Sequence, residues 1–227
     1  MEGIEIEGKT INEAIENACE EFNVPREKLN IEIVDIFAGR DYTRPVEESF
    51  KPYQKMMAPL AKFAADHGRK LAIENCPMMH DCWPGGTNIA YSPAVWETMF
   101  DLVPDKNIGL TFDPAHFIWL GMDYLQAVKA FGNRIFHVHV KDCEILEDTL
   151  AVEGILGHGW WRYRMPGWGE VDWPGFLSAL MEVGFTGDLN LEHEDHLFGF
   201  NDLAHSSEKV KIGLLAGRKY LSQYLVK

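Results

Sequence analysis

Side chains that commonly bind metal ions end four apolar stretches of this 227-residue chain. The stretches are Leu71–Asn75, Ile108–Asp113, Ile135–Val140 and Leu189–Glu192, and they place Glu74, Asp113, His139 and Glu192 at or near their ends. A buried carboxylate without a partner is unfavourable, and a shared cation would remove that penalty. Carboxylate and imidazole donors suit Mn²⁺, Mg²⁺ or Co²⁺, with Zn²⁺ as a further option. The pattern predicts a divalent-metal site.

Each of these residues, taken alone, also has an ordinary structural explanation. Asp113 could cap the turn at Pro114, and His139 could be a hydrogen-bonded histidine of the core. A carboxylate at the end of a single strand is more often a helix cap or a member of an ion pair. The same placement on four successive stretches favours shared ligation over coincidence.

The four stretches have the length of strands, and helical patterns separate them. Helices are predicted near residues 46–67, 93–103, 121–131, 174–183 and 207–225. Alternating strands and helices are typical of an α/β fold with a parallel sheet. Because the carboxyl ends of parallel strands lie on one face, the four candidate ligands are expected to meet there.

The first 34 residues have a different pattern, which predicts a β-α-β unit. Ile4 and Ile6 alternate with acids as in a short strand, Thr10 and Glu13 form a capping box for a helix, and Leu29–Val34 alternates again. The run from Gly8-Lys-Thr10 to Val24-Pro-Arg-Glu27 resembles the small N-terminal domain of the Jag family of RNA-binding proteins. We therefore expect domains at 1–34 and 35–227, and a join between unrelated sequences.

The remainder, about residues 36–227, resembles the xylose-isomerase-like TIM-barrel family of sugar and sugar phosphate isomerases and epimerases. The matching motifs are Leu71–Pro77, Asn88–Pro93, Phe112–His116, His137–Asp142, Pro166–Trp173 and Leu191–Asp195. The resemblance implies that Glu74, Asp113, His139 and Glu192 bind one divalent metal ion. It also implies that Glu74 and Glu192 are catalytic and move protons between substrate carbons through an enediolate. Glu192 is preferred to Glu194 because it ends the apolar run.

The same resemblance implies residues that contact the sugar. His116 would contact the substrate or a residue that surrounds the metal ligands, and Lys141 would lie near a substrate hydroxyl. Arg164 and Trp168 belong to an aromatic and arginine-rich segment that covers the strand ends in this family. They are expected to bind a polyol by hydrogen bonding and stacking, with an ordinary packed loop as the alternative.

Composition excludes several classes of partner. The chain has 21 lysines and arginines and 35 aspartates and glutamates, which gives a net charge of −14. This charge repels nucleic acid and anionic membrane surfaces. This charge also argues against the zinc endonuclease branch of the same superfamily, and against RNA binding by the Jag-like unit. No apolar run is long enough to span a bilayer and no signal peptide is evident, so we expect a cytoplasmic protein whose partner is a small sugar.

The number of strands departs from a complete barrel. Eight strands are usual, and this sequence predicts about six, with the N-terminal β-α-β unit in place of the first barrel strands. Six strands close poorly, so we expect a partly open sheet and a homodimer through its open edges. The favoured function is a metal-dependent sugar isomerase or epimerase. The alternative is a chimeric or truncated barrel that keeps the metal site without turnover.

Overall fold

A curled parallel sheet forms the centre of the computed structural model, which describes residues 5–79, 85–202 and 207–225. Seven strands are found in these residues: β1 (Ile33–Ile36), β2 (Lys70–Glu74), β3 (Ile108–Phe112), β4 (Ile135–His139), β5 (Asp142–Ile145), β6 (Trp161–Arg164) and β7 (Leu189–Asn190). Five of them form the parallel sheet in the order β1-β2-β3-β4-β7, and β5 pairs with β6 as a separate antiparallel ribbon. The fold is an incomplete TIM barrel, as predicted.

Helices alternate with the strands of the sheet. They are α1 (Ile11–Phe22), α2 (Glu47–Asp66), α3 (Pro93–Leu102), α4 (Ala115–Leu120), α5 (Tyr124–Phe131), α6 (Glu147–Glu153), α7 (Trp173–Glu182) and α8 (Ser207–Leu221). The main core lies between the sheet and the helices and is rich in aromatic side chains. The fully buried ring of Trp96 on α3 packs edge-on against Phe112, Phe117 and Phe131, with ring centroids 5.3–6.1 Å apart.

The strand register brings functional side chains to one face of the sheet. Glu74 pairs with Thr111, Thr111 pairs with His137, and His139 pairs with Asn190. Paired residues on neighbouring parallel strands point to the same side. The register therefore carries the candidate ligands of β2 and β4 to the concave side of the curled sheet.

The N-terminal unit differs from the prediction. The helix is present, and Thr10 Oγ1 accepts a hydrogen bond from the backbone N–H of Glu13 (3.2 Å). Residues 5–7 are not a strand, whereas Ile4 lies outside the described residues. The expected count of about six strands is therefore corrected to five in the parallel sheet. The side chain of Glu5 points into the curled sheet, where it accepts hydrogen bonds from His139 of β4 and Asn190 of β7.

Within the described residues, no helix has the length and apolar character needed to cross a membrane.

Candidate metal centre

The structure brings the predicted metal ligands together. Glu74, Asp113, His139 and Glu192 each offer one ligand atom, and these atoms all lie within 4.8 Å of one another. Glu74, Asp113 and His139 are buried, and Glu192 is half-buried. Three acidic donors and one imidazole so close together suit a divalent cation.

Local hydrogen bonds hold two of these residues in place. The Asp113 backbone N–H donates to Asn75 Oδ1 (2.7 Å), and Asn75 Nδ2 donates to the Asp113 carbonyl (2.9 Å). Asn88 Nδ2 donates to the Glu74 carbonyl (2.7 Å). These buried amides fix the ends of β2 and β3, and therefore the direction in which the two carboxylates leave the sheet.

Asp113 caps the start of α4 and is also a member of the cluster. Its Oδ1 accepts a hydrogen bond from the backbone N–H of Ala115 (2.8 Å) at the start of α4. Its Oδ2 and His139 Nδ1 are both buried, and their contacts at 3.1–3.4 Å with charged groups of the cluster lack the geometry of a hydrogen bond. Buried polar atoms are normally hydrogen-bonded. These two atoms therefore fit the site of an absent cation.

Two cationic groups lie beside the carboxylates. Lys141 Nζ is 3.1 Å from Asp113 Oδ2 and 2.7 Å from Glu192 Oε2, and His116 Nε2 is 3.2 Å from Asp113 Oδ2. Burial alone would lower the pKa of Lys141, but the charges of Asp113 and Glu192 outweigh it and raise that pKa well above its usual value. The lysine is therefore charged and neutralises part of the acidic cluster.

The carboxylates are held in their ionised form. Burial by itself raises the pKa of Glu74, but the close contacts of its Oε1 with His116 Nε2 (3.5 Å) and His139 Nδ1 (3.4 Å) outweigh it and hold that pKa at about 2. The pKa of Glu192 is also below its usual range, because Lys141 and His139 together overcome its burial. Both predicted catalytic glutamates can therefore accept a proton.

The predicted substrate-binding residues fall into two groups. His116 and Lys141 lie within the cluster. Arg164, by contrast, is buried in ion pairs with Glu144 and Asp195 (2.5 and 2.9 Å), and the ring of Trp168 packs edge-on against Phe198 on the surface. Neither Arg164 nor Trp168 belongs to the cluster that the described residues form, and their contact with the sugar stays a prediction.

The structure adds residues that sequence reasoning missed. Glu5 bonds His139 Nε2 through Oε1 (3.2 Å), and Asp35 Oδ2 lies 3.9 Å from the same nitrogen. Burial, reinforced by the charge of Glu74, raises the pKa of Asp35 to about 8. Tyr163 OH is hydrogen-bonded to His116 Nδ1 (2.8 Å). Glu194, the less favoured glutamate of the Leu191–Asp195 motif, accepts a hydrogen bond from Lys141 Nζ (2.6 Å). For Glu5, the available signal in the sequence was the alternation of acids around Ile6, and this pattern is also typical of the exposed face of a strand.

A cavity opens beside the cluster. Its volume is about 310 Å³, at the lower end of the range of about 300–1,000 Å³ that is usual for small-molecule sites. The charged side chains on its wall are Glu5, Glu7, His139, Glu192 and Glu194. A wall of this kind offers many hydrogen-bond acceptors and suits a small, hydroxyl-rich ligand.

The fold and this cluster agree with a match to a known family. The family model of the xylose isomerase-like TIM barrel matches residues 10–215. The chain therefore belongs to the xylose isomerase-like TIM-barrel family. The matched range starts inside the N-terminal unit and includes α1, and the comparisons give no support to the Jag resemblance. The domain boundary at residue 34 stays a prediction.

Several proteins of related sequence are known. The chain is 32% identical over 156 residues to the uncharacterised protein YfiH of Bacillus subtilis (strain 168), covering 63% of this chain and 45% of that protein. It is 25% identical over 183 residues to the inosose dehydratase of Clostridium perfringens, covering 78% of this chain and 55% of the enzyme. The chain thus spans about half the length of the curated relatives it matches.

Solved structures share the fold. The IolI protein with a bound zinc atom aligns with a TM-score of 0.62 and 20% identity, over 98% of this chain and 74% of that one. The D-allulose 3-epimerase from Methylomonas sp. aligns with a TM-score of 0.60 and 18% identity, over 86% and 63% of the two chains. At this level of identity the likeness concerns the fold alone.

Proposed function

We propose that this chain carries the metal-binding half of a sugar isomerase or epimerase that uses a divalent metal ion. The observation that carries the proposal is the convergence of Glu74, Asp113, His139 and Glu192 within 4.8 Å beside a polar cavity. The names of the relatives, an inosose dehydratase and a D-allulose 3-epimerase, support a substrate of the sugar or cyclitol class. The zinc atom in the IolI structure supports a cation in this fold.

The chain's own residues account for the proton transfers. A cation held by the four ligands would act as a Lewis acid on a substrate carbonyl and its neighbouring hydroxyl. Glu74 and Glu192 are both ionised, and each can take the weakly acidic proton next to that carbonyl. Return of the proton to the adjacent carbon, with transfer of the hydroxyl proton to the former carbonyl oxygen, gives isomerisation. For epimerisation the other glutamate first takes up a proton from water and then delivers it to the opposite face of the same carbon, while the first glutamate keeps the proton that it removed.

A second candidate reaction is loss of water, as the name of the inosose dehydratase relatives indicates. Dehydration next to a carbonyl starts with the same proton removal and differs only in the fate of the resulting anion.

A third alternative is a metal-binding protein without turnover. It is favoured by the half-barrel itself, because the wall opposite β2, β3 and β4 is incomplete in the described residues, and misplacement of a substrate by ~1 Å lowers a rate about 100-fold.

Proton exchange in heavy water tests the shared first step. The chain is incubated in D₂O with Mn²⁺ or Co²⁺ and a set of ketoses, aldoses and inososes, and loss of the proton next to the carbonyl is followed by NMR. We expect exchange, and we expect Glu74→Gln and Glu192→Gln to slow it by about 100-fold or more. The products then separate isomerisation, epimerisation and dehydration.

The matched control is Glu97→Gln on α3, which changes an exposed glutamate that is not part of the cluster and should leave exchange unchanged. Metal content is measured on every variant, so that loss of the ion is distinguished from loss of a base. Bound metal with no exchange on any of these substrates would contradict the enzymatic proposal and support the alternative without turnover.

A further inference from the structure

One carboxylate from the start of the chain reaches the back of the candidate metal centre. Glu5 Oε1 accepts a hydrogen bond from His139 Nε2 (3.2 Å), and Glu5 Oε2 is 3.3 Å from His137 Nε2. Asn190 Nδ2 of β7 donates to Oε2 as well. The side chain of Glu5 therefore bridges β4 and β7 from inside the curled sheet.

The two nitrogens of His139 face different surroundings. Nε2 faces Glu5, whereas Nδ1 lies 3.4 Å from Glu74 Oε1 and 3.2 Å from Glu192 Oε2. A histidine that donates Nε2–H to a carboxylate keeps the lone pair of its neutral form on Nδ1. The hydrogen bond to Glu5 thus directs a metal-binding lone pair toward the other three ligands.

The segment that carries Glu5 is anchored. Asn17 Nδ2 of α1 donates to the Glu7 carbonyl (2.8 Å), and the Lys9 backbone N–H donates to Glu13 Oε2 (2.9 Å). Residues 5–9 therefore follow the position of α1 although they form no strand. A carboxylate on such an anchored segment can orient an imidazole, because its own position is fixed.

We propose that Glu5 is a positioning residue of the metal centre, which fixes the tautomer and ring orientation of His139 through its hydrogen bond to Nε2. Metal-bound histidines usually donate their second N–H to a carboxylate or carbonyl, and removal of that partner typically weakens metal binding about 10–100-fold. The role rests on the proposed cation site, and it does not depend on turnover. It gives the N-terminal segment a function within the half-barrel.

Metal affinity tests the proposal, with Co²⁺ as the probe and a fluorescent chelator as competitor. We expect Glu5→Gln to weaken Co²⁺ binding about 10–100-fold, because the charged acceptor of the Nε2–H bond is lost. The control is Glu7→Gln, which removes one carboxylate from the same segment and the same cavity. Its effect is expected to be about threefold or less, since only the long-range attraction changes.

A second measurement separates positioning from general loss of structure. In the Zn²⁺-loaded protein with ¹⁵N-labelled histidine, NMR should show His139 protonated at Nε2 and ligated at Nδ1. Glu5→Asp keeps the negative charge, and it should therefore retain more of the Co²⁺ affinity than Glu5→Gln. Thermal unfolding without metal checks that all variants are folded.

The outcomes are distinct. Equal losses of affinity in Glu5→Gln and Glu7→Gln, or a His139 protonated at Nδ1 in the zinc form, would overturn the positioning role. Two Co²⁺ ions per chain, one of them lost in Glu5→Gln, would also overturn it and make Glu5 a direct ligand with His137. Weaker binding in Glu5→Gln without any turnover in the wild type would uphold this role and contradict only the enzymatic proposal. A wild-type chain that binds no Co²⁺ would contradict both.

Discussion

Asp142 is the most heavily bonded buried carboxylate near the strand ends. Its Oδ1 accepts hydrogen bonds from the backbone N–H groups of Cys143 (2.9 Å) and Val171 (3.0 Å). Its Oδ2 accepts from Gly167 N–H (3.0 Å) and from Trp173 Nε1 (2.9 Å). One side chain thus ties the start of β5 to the loop that leads into α7.

We expect Asp142→Ala to lower the free energy of unfolding by about 3 kcal/mol or more, because several buried donors lose their acceptor together. The matched control is Asp172→Ala, which removes the N-cap of α7, where one N–H, that of Gly175, is bonded (3.1 Å). Loss of a cap of this kind costs about 1 kcal/mol. Urea unfolding without added metal gives both values, and similar losses in the two variants would contradict this account.

A second prediction at the scale of single residues concerns the effect of Lys141 on stability. Its buried ammonium group contacts Asp113, Glu192 and Glu194 at 2.6–3.1 Å. Removing one partner of a buried ion pair typically costs about 3–5 kcal/mol, because the remaining charge is left uncompensated. We expect Lys141→Met to lose stability on this scale in EDTA, and to recover a large part of it in saturating Mn²⁺, since the cation replaces the missing positive charge.

Urea unfolding with EDTA and with Mn²⁺ measures this difference for the wild type and the variant. Lys129→Met on α5 is the control, because Lys129 is exposed and a surface change usually stays within about 0.5 kcal/mol. An equal loss in EDTA and in Mn²⁺ would show that the cation and the ammonium group do not act on the same carboxylates.

At the scale of residues, the sequence predicted which side chains converge in the cluster, and it did not predict the contact of Glu5 with His139. Glu74, Asp113 and His139 were found because each closes an apolar run, which is a local signal. Glu5 was missed because its partner His139 lies 134 positions further along the chain. Alternating acids reflect only the local backbone conformation, and they do not indicate a contact with a residue so far away along the chain.

At the scale of elements, the closeness of β3 and β4 depends on a glycine. A Cβ atom on Gly109 would lie 2.2 Å from the Arg134 carbonyl oxygen and 2.5 Å from the Phe136 ring. The carbonyl belongs to the backbone and cannot rotate away. We expect Gly109→Ala to lower the free energy of unfolding by about 1–3 kcal/mol, as overpacking does elsewhere.

Gly39 provides the matched control for this substitution. A Cβ atom there meets nothing within 4 Å, and its φ angle is not in the left-handed region. Gly39→Ala should therefore be close to neutral in the same thermal or urea unfolding experiment. A loss at Gly39 equal to that at Gly109 would show that the close approach of the two strands is not the cause.

The elements with strong periodicity were predicted well. The strands at residues 70–74, 108–112 and 135–139 and the long helix at 47–66 lie within a few residues of their predicted positions. The ribbon of β5 and β6 was not predicted, because charged residues such as Glu144, Arg162 and Arg164 interrupt its apolar pattern. Those charges pair with one another across the ribbon, which only the tertiary structure reveals.

At the scale of the whole molecule, the half-barrel leaves one side of α2 without a neighbour in the described residues. Residues follow one another at about 100° around a helix. Gln54, which donates to the Leu102 carbonyl of α3 (3.1 Å), lies on one side of the buried row Tyr53, Met57, Ala61 and Ala64. Met56, Leu60 and Phe63 lie on the opposite side and are 51%, 37% and 62% exposed. We call these three residues the α2 stripe.

The α2 stripe faces away from α3, and α2 directly follows β1, the strand at one edge of the parallel sheet, where a closed barrel would continue. A contiguous apolar surface of this kind usually marks an interaction site. We expect this chain to form a dimer through that edge, and light scattering after size exclusion should give about twice the monomer mass. Phe63→Lys should shift the mass to that of a monomer, whereas Ile212→Lys, which places the same charge on an exposed apolar residue of α8, should not. A wild-type chain that stays monomeric at high concentration would contradict the dimer, and an unaffected dimer in Phe63→Lys would place the interface elsewhere.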